Sequence, residues 1–383
     1  MSRRLRTARH RNVYGDAVRA PVVATVFSLL IVRAPLPLSA DTPDSTPTIV
    51  ESLPPELQAR VDERNTRYKA VLSIKTQVFG EPDEAARTDF FAEEPTKQWG
   101  ARAVITVAFR GGSNELRQKI ADTAAIWEAQ GAVTFDFGKP GAFREWTSRD
   151  QNYAANVRIA FDKAGDYSLV GRASIDRTVV APNHASMNLQ DFDGRRRFDK
   201  AVVLHEFGHV LGFLHEHQNP KGGCAAELRY ADDPGYAATK DPSGELINDS
   251  QGRRPGVYSW FAGKPNEWSH DRVDRNVKIL ETNSSKYQFG PYDPQSIMRY
   301  SFPLPLCTTS SSTCCEPRAY SLSLDDIHAM GIFYPKDGSD RNAALGGQID
   351  ALKNLLKSPK LGPDDREYAN QVLKGLTFQQ QQP

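Results

Sequence analysis

The sequence predicts an α+β fold for residues 99–335, on three observations. Runs at 103–109, 133–137 and 157–161 are short and apolar or alternating, and glycines or polar residues punctuate them, as in strands. Between the first two, Leu116, Ile120, Ala124 and Trp127 recur at helical spacing behind Ser113, a capping residue, so a helix runs to about residue 130. A second apolar-striped helix follows near residue 203, after which residues 218–266 lose periodicity and fill with Gly, Pro and Asp. Strands with a packed helix, then a helix leading into irregular chain, form the half-domain of an α+β protein.

The chain is long enough for that domain plus tails: 383 residues, 39% hydrophobic, 25% charged. A net charge of +1 gives no electrostatic case for nucleic acid or an anionic membrane as partner. Residues 1–40 read as an export signal. Arg3, Arg4, Arg6, Arg9, Arg11 and Arg19 make a basic start, 20–32 is apolar but too short to span a bilayer comfortably, and Pro-Leu-Ser-Ala ends at Ala40. An uncleaved signal anchor and the twin-arginine route are the alternatives. The mature protein is therefore expected outside the cytoplasm, secreted, with no stable membrane span. Residues 41–98 are polar, with one helix-like segment from Pro55 to about residue 71, and form a pro-segment or a linker.

Four cysteines, Cys224, Cys307, Cys314 and Cys315, fit export, because an even count in an oxidising compartment favours disulfides. Adjacent Cys314 and Cys315 are poorly placed to bond each other. That leaves one short loop to Cys307 and one longer bridge to Cys224. A second metal site is the weaker alternative, since the spacing matches no common zinc pattern. Asp232, Asp233, Asp241 and Asp249 lack calcium-loop spacing and read as solvated acids. A further strand is expected at 185–189 and a helix at 272–280. Ser323 and Asp326 form a capping box for a helix ending near Tyr334. The tail, 336–383, holds two amphipathic segments, 344–356 and 363–376.

The chemistry sits in the second helix. Residues 205–215 read His-Glu-Phe-Gly-His-Val-Leu-Gly-Phe-Leu-His. On a helix His205 and His209 lie one above the other, opposite a stripe of Val203, Phe207, Val210, Leu211 and Leu214. His215 could not reach them if the helix continued, since ten residues of helix rise about 15 Å. Gly212 removes the difficulty by ending the helix in a left-handed conformation. Three imidazoles then converge on one metal ion with a position left open, as in a catalytic zinc site. Glu206, beside the first ligand, suits a general base acting on water there.

A second motif, Tyr292-Asp-Pro-Gln-Ser-Ile-Met298-Arg-Tyr300, accompanies the first. Together they resemble the metzincin metalloendopeptidases, and within them the astacin family, over roughly 99–335. The resemblance implies a two-lobed zinc protease with a mixed-sheet upper lobe, an active-site helix and an irregular lower lobe. It implies one Zn2+ per chain on His205, His209 and His215, Glu206 as general base, and Met298 in a turn beneath the metal. Tyr300 would be a displaceable fifth ligand whose hydroxyl aids the transition state, and Glu216 would pair near the matured N-terminus. An extended protein or peptide substrate would pair along 185–189 as an edge strand. Family pro-segments often carry Phe-x-Gly-Asp, whose aspartate caps the zinc; the nearest string here is Phe79-Gly-Glu-Pro-Asp83. Arg299 stands where the family commonly has His. The expected function is thus an exported zinc endopeptidase. The alternative is a catalytically silent peptide-binding module of the same fold, which would be expected to lose the base or a ligand.

Overall fold

A computed structural model describes residues 51–66 and 97–336, apart from 101, 243, 265, 279 and 281–289, together with scattered positions between 346 and 377. The export signal and the Phe79–Asp83 string lie outside the described residues.

The upper part is a five-stranded mixed sheet. Its strands are β1 (Ala103–Phe109), β2 (Val133–Asp136), β5 (Val157–Ala160), β6 (Tyr167–Ser168) and β7 (Met187–Asn188), in the order β2-β1-β5-β7-β6. All neighbours are parallel except β6 and β7. A small hairpin, β3 (Gly138–Lys139) with β4 (Ala142–Phe143), hangs from β2. β5 is buried at every position, as expected of a central parallel strand.

Helix α2 (Asn114–Glu128) starts at Ser113, whose hydroxyl accepts the N–H of Leu116, and buries Leu116, Ile120, Ala124 and Trp127. It packs on α3 (Lys200–Leu211), where the Trp127 indole donates to the Leu204 carbonyl at 2.9 Å. A preceding helix, α1 (55–66), lies over the outer strand of the sheet. Its Leu57 joins Tyr167, Leu169, Val179 and Val180 in a separate apolar cluster, and Arg64 pairs with Asp176 at 2.9 Å.

The sheet corrects one expectation. Residues 187–188 do not form the edge, because β6 covers them on the outer side. Two residues of strand are too short to show periodicity, so the sequence carries no signal for Tyr167–Ser168.

Below α3 the chain has little regular structure: α4 (Cys224–Glu227), the hairpin β8 (Thr239–Lys240) and β9 (Leu246–Ile247), α5 (Val257–Ala262) and α6 (His270–Val277). A second core of Val257, Trp260, Phe261, Trp268, Val273 and Phe302 holds these pieces, with the disulfides Cys224–Cys314 and Cys307–Cys315 at its side. The acids of this region are not merely solvated. Asp233 pairs with Arg229 at 2.8 Å and with Arg254 at 3.2 Å, and Asp249 with Arg253 at 2.7 Å. α7 (Leu324–Phe333) carries the expected capping box between Ser323 and Asp326. In the tail, described positions 349–350 and 352–356 are helical, with Ile349, Leu352 and Leu355 buried. Among the described residues no helix is long and apolar enough to cross a membrane.

Candidate metal centre and cleft

α3 ends where the sequence placed its end. Gly212 adopts φ 108°, and its N–H bonds back to the Gly208 and His209 carbonyls. That turn swings His215 round to face His209, with their Nε2 atoms 3.1 Å apart. The other ring nitrogens of the helix pair are fixed by carbonyls. His205 Nδ1 donates to Ile297 O at 2.8 Å and His209 Nδ1 to Phe213 O at 2.6 Å. This tautomer turns the Nε2 lone pairs of both inward, the arrangement a metal ligand needs.

At the point of convergence lies a group that sequence reasoning missed. Glu51 Oε2 sits 2.8 Å from His205 Nε2 and 3.0 Å from those of His209 and His215. The four ligand atoms fall within 4.8 Å of one another. Two ring nitrogens 3.1 Å apart sharing one carboxylate oxygen with a third form a donor set suited to a cation, so the residues present fit zinc. Burial pushes the His215 imidazole down to about 4 against the pull of Glu51, which keeps it neutral as a ligand must be. Burial alone would raise the Glu51 carboxyl, but the imidazoles of His209, His215 and His205 outweigh it and hold the group well below the usual carboxylate range. The one available signal for Glu51 was local: an acid just before the Pro-Pro start of a helix.

Glu206 is buried beside this centre. Its Oε2 has no hydrogen-bond partner among the described residues. Burial, and then the charges of Glu51 and Asp166, raise its carboxyl well above the usual range, the direction that suits a group that accepts and returns a proton. Tyr300 stacks on His217 and lies tilted against His215, with ring centroids 4.3 and 4.2 Å away, and its hydroxyl donates to the backbone carbonyl of Glu51 at 2.7 Å. The expected ligand hydroxyl here serves a peptide carbonyl. His217 donates from Nε2 to Asn276 O and turns away from the centre.

The turn at 296–300 is pinned from three sides. Asp326 accepts from the Ser296 hydroxyl at 2.7 Å and the Ile297 N–H at 2.9 Å, a tie invisible in a capping-box pattern. Arg299, which is buried, donates to the carbonyls of Pro294, Tyr300, Cys314, Glu316 and Pro317. The Met298 carbonyl accepts the Glu216 N–H at 3.0 Å. Met298 then lies so close under α3 that a Cβ on Gly208 would meet its sulfur at 2.3 Å. Glu216 holds Asn219 and the Asp293 N–H through Oε1, while its Oε2 and Asp293 Oδ2 are buried without partners among the described residues beside a small cavity. A larger cleft of about 540 Å³ runs past Glu51, His205, Glu206 and Tyr300 to Arg318.

Comparisons with known proteins bear on this geometry. Residues 91–222 match the model of the Astacin peptidase family, a span that includes the three histidines and Glu206 but ends before Met298 and Tyr300. Over 128 residues the chain is 29% identical to zinc metalloproteinase nas-30 of Caenorhabditis elegans, covering 33% of this chain and 14% of that protein. Among solved structures, myroilysin is 28% identical, covering 64% of this chain and 98% of its own, with a TM-score of 0.46. High choriolytic enzyme 1, a hatching enzyme zinc-protease from the medaka fish Oryzias latipes, is 15% identical, covering 66% of this chain and 97% of its own, with a TM-score of 0.33.

Proposed function

We infer that this chain, whose residues 91–222 carry an astacin-family domain, is an exported zinc-dependent endopeptidase. The observation that carries the reading is the convergence of His205, His209 and His215 in front of the buried Glu206, whose Oε2 has no hydrogen-bond partner among the described residues, on the wall of an open cleft. The three histidines hold one zinc ion per chain. Zinc, when bound, supplies Lewis acidity for the scissile carbonyl and makes water acidic enough to attack near neutral pH. Glu206 accepts the attacking water's proton and passes it to the leaving amine, and its raised affinity for protons suits both steps. The Tyr300 hydroxyl, which here donates to a peptide carbonyl in the cleft, donates to the substrate carbonyl oxygen as charge develops on it. Two disulfides and the basic, apolar first forty residues support export. The silent-module alternative is not favoured, since ligands and base are all present.

Residues 41–98 act as a pro-segment in this reading, with Glu51 as its inhibitory carboxylate. Glu51 fills the position that substrate and water need, and a fourth protein ligand closes a catalytic site. The cap is thus a glutamate near the start of the segment, earlier in the sequence than the Phe79–Asp83 string. After removal of the segment, Glu216 Oε2 and Asp293 Oδ2, which have no hydrogen-bond partner among the described residues, offer a buried seat for a new terminal ammonium.

The test is metal analysis and casein hydrolysis by the full chain and its Glu51→Gln variant, with and without a chelator. About one zinc per chain is expected in both. Hydrolysis should rise at least tenfold in the variant and vanish with chelator in both. Equal hydrolysis by parent and variant rules out Glu51 as the inhibitory group, and hydrolysis indifferent to chelator rules out the metal mechanism.

A further inference from the structure

We propose that Arg299 is a positioning residue for the Tyr300 hydroxyl, tying the turn that carries this tyrosine to the disulfide-bonded segment 307–317. The inference rests on the endopeptidase reading above and adds a residue to its machinery.

An arginine side chain has five N–H donors in one rigid plane. In Arg299 all of them are engaged, each with a different main-chain carbonyl. Nε donates to Pro294 O at 2.7 Å, one terminal nitrogen to Tyr300 O at 3.0 Å and Cys314 O at 3.2 Å, and the other to Glu316 O at 3.1 Å and Pro317 O at 2.8 Å. Two of these carbonyls flank the turn, and three belong to the segment beyond it. The side chain borders the cleft, yet it has no donor left for a substrate, so it acts through the backbone it holds.

That segment is itself fixed, because Cys314 is bonded to Cys224 and Cys315 to Cys307. The chain leaving Tyr300 runs beside it. The Ser301 hydroxyl donates to Glu316 O at 2.8 Å, and the Phe302 N–H to Cys314 O at 3.1 Å. Tyr300 is therefore gripped at its own carbonyl and at the two residues that follow. A tyrosine has only two side-chain torsions, each confined to a few wells, so a fixed backbone fixes where its hydroxyl arrives. That hydroxyl has to meet an oxygen that gains charge in the transition state, and a misplacement of about 1 Å there costs on the order of 10²-fold in rate. Lysine brings three donors and no plane, and histidine, which the astacin family commonly has at this place, brings at most two N–H groups. Neither can hold five carbonyls at once.

The first measurement uses the zinc-loaded full chain with its tyrosines isotopically labelled at Cζ. The Tyr300 resonance, identified by its loss in Tyr300→Phe, should move or broaden in Arg299→Lys, while that of Tyr334, also buried, stays in place. The second measurement is kinetic. Protein carrying Glu51→Ala and a sequence-specific protease site inserted between residues 66 and 97 is folded as the full chain, cut, and freed of the preceding residues, as checked by intact mass. There Arg299→Lys should keep about one zinc per chain and lower kcat about 10- to 100-fold with KM little changed. In a Tyr300→Phe background the same substitution should lower kcat no further, a non-additivity that general destabilisation does not produce. Cys307→Ser with Cys315→Ser loosens the acceptors and leaves Arg299 in place. This pair should repeat the loss, again only while Tyr300 is present, and it decides the case if Arg299→Lys does not fold. An unmoved Tyr300 resonance, an unchanged kcat, or a fall that persists without the Tyr300 hydroxyl overturns the proposal. Absence of hydrolysis by the freed parent sinks the endopeptidase reading alone, since the tyrosine resonance still tests the tie.

Discussion

Glu206→Gln separates holding the metal from doing the chemistry. Glutamine keeps size and hydrogen-bonding capacity but accepts no proton, so zinc content should stay near one per chain while turnover falls by on the order of 10²–10⁴. Tyr300→Phe should also keep zinc and lower kcat more than it raises KM, because its hydroxyl acts on the developing oxyanion. Metal analysis beside peptide kinetics checks both; near-normal turnover in Glu206→Gln would falsify the base assignment. A different residue tests the electrostatics of the irregular lower part. Burial would raise the Asp249 carboxyl, yet the Ala237 N–H, the Arg253 side chain and the Arg253 and Gln251 N–H groups hold it down to about 2. Because the folded value lies below the unfolded one, of about 3.9, its stabilisation is complete above pH ~4 and is lost as pH falls through 2. Amide exchange across 236–253 should quicken over that acid window and, in Asp249→Asn, already be fast at neutral pH.

At the scale of the element, α3 and the 296–300 turn work as one piece. Gly208 has no Cβ because Met298 occupies its place, and Gly212 has none because φ 108° admits a side chain only with strain. Gly208→Ala should cost about 1–3 kcal/mol by overpacking and displace the turn that carries Tyr300. Thermal unfolding together with zinc affinity measures it, and an unchanged melting temperature would show that the turn yields freely. Both glycines stood in the motif, but only Gly212 could be understood from sequence, since a helix end is a local event. The demand on Gly208 comes from a methionine ninety residues away in the chain.

For the whole molecule, two long-range ties set the geometry of the cleft. Cys224–Cys314 closes a loop of 90 residues across the lower core, so replacing both with Ser should destabilise the protein by about 2–5 kcal/mol in chemical denaturation. At the opposite wall, Arg64 and Asp176 anchor α1 over the sheet edge from a largely buried position. Arg64→Ala leaves that acid unpaired and should speed release of residues 51–66, read as faster amide exchange in α1 and higher basal hydrolysis. Exchange unchanged from the parent would mean that Leu57, Glu51 and the Arg272 bonds to Ser52 and Leu53 hold the segment without the Arg64 pair.

The sequence by itself determined what depends on spacing along one chain segment. The 3.6-residue repeat put His205 and His209 on one face, Gly212 turned the chain towards His215, and Ser113 and Ser323 started their helices where their side chains could cap. Local periodicity likewise gave β1, β2 and β5 and hence the α+β class. Tertiary structure decided what depends on distant segments meeting. It brought Glu51, 154 residues before His205, to the point where the three histidines converge, and set Arg272 against Ser52, 220 residues away. It made β6 the sheet edge through pairing alone, and it joined Asp326 to the 296–300 turn. Such contacts leave no period or motif, because the chain between them is free to vary and only the packed core fixes where its ends arrive.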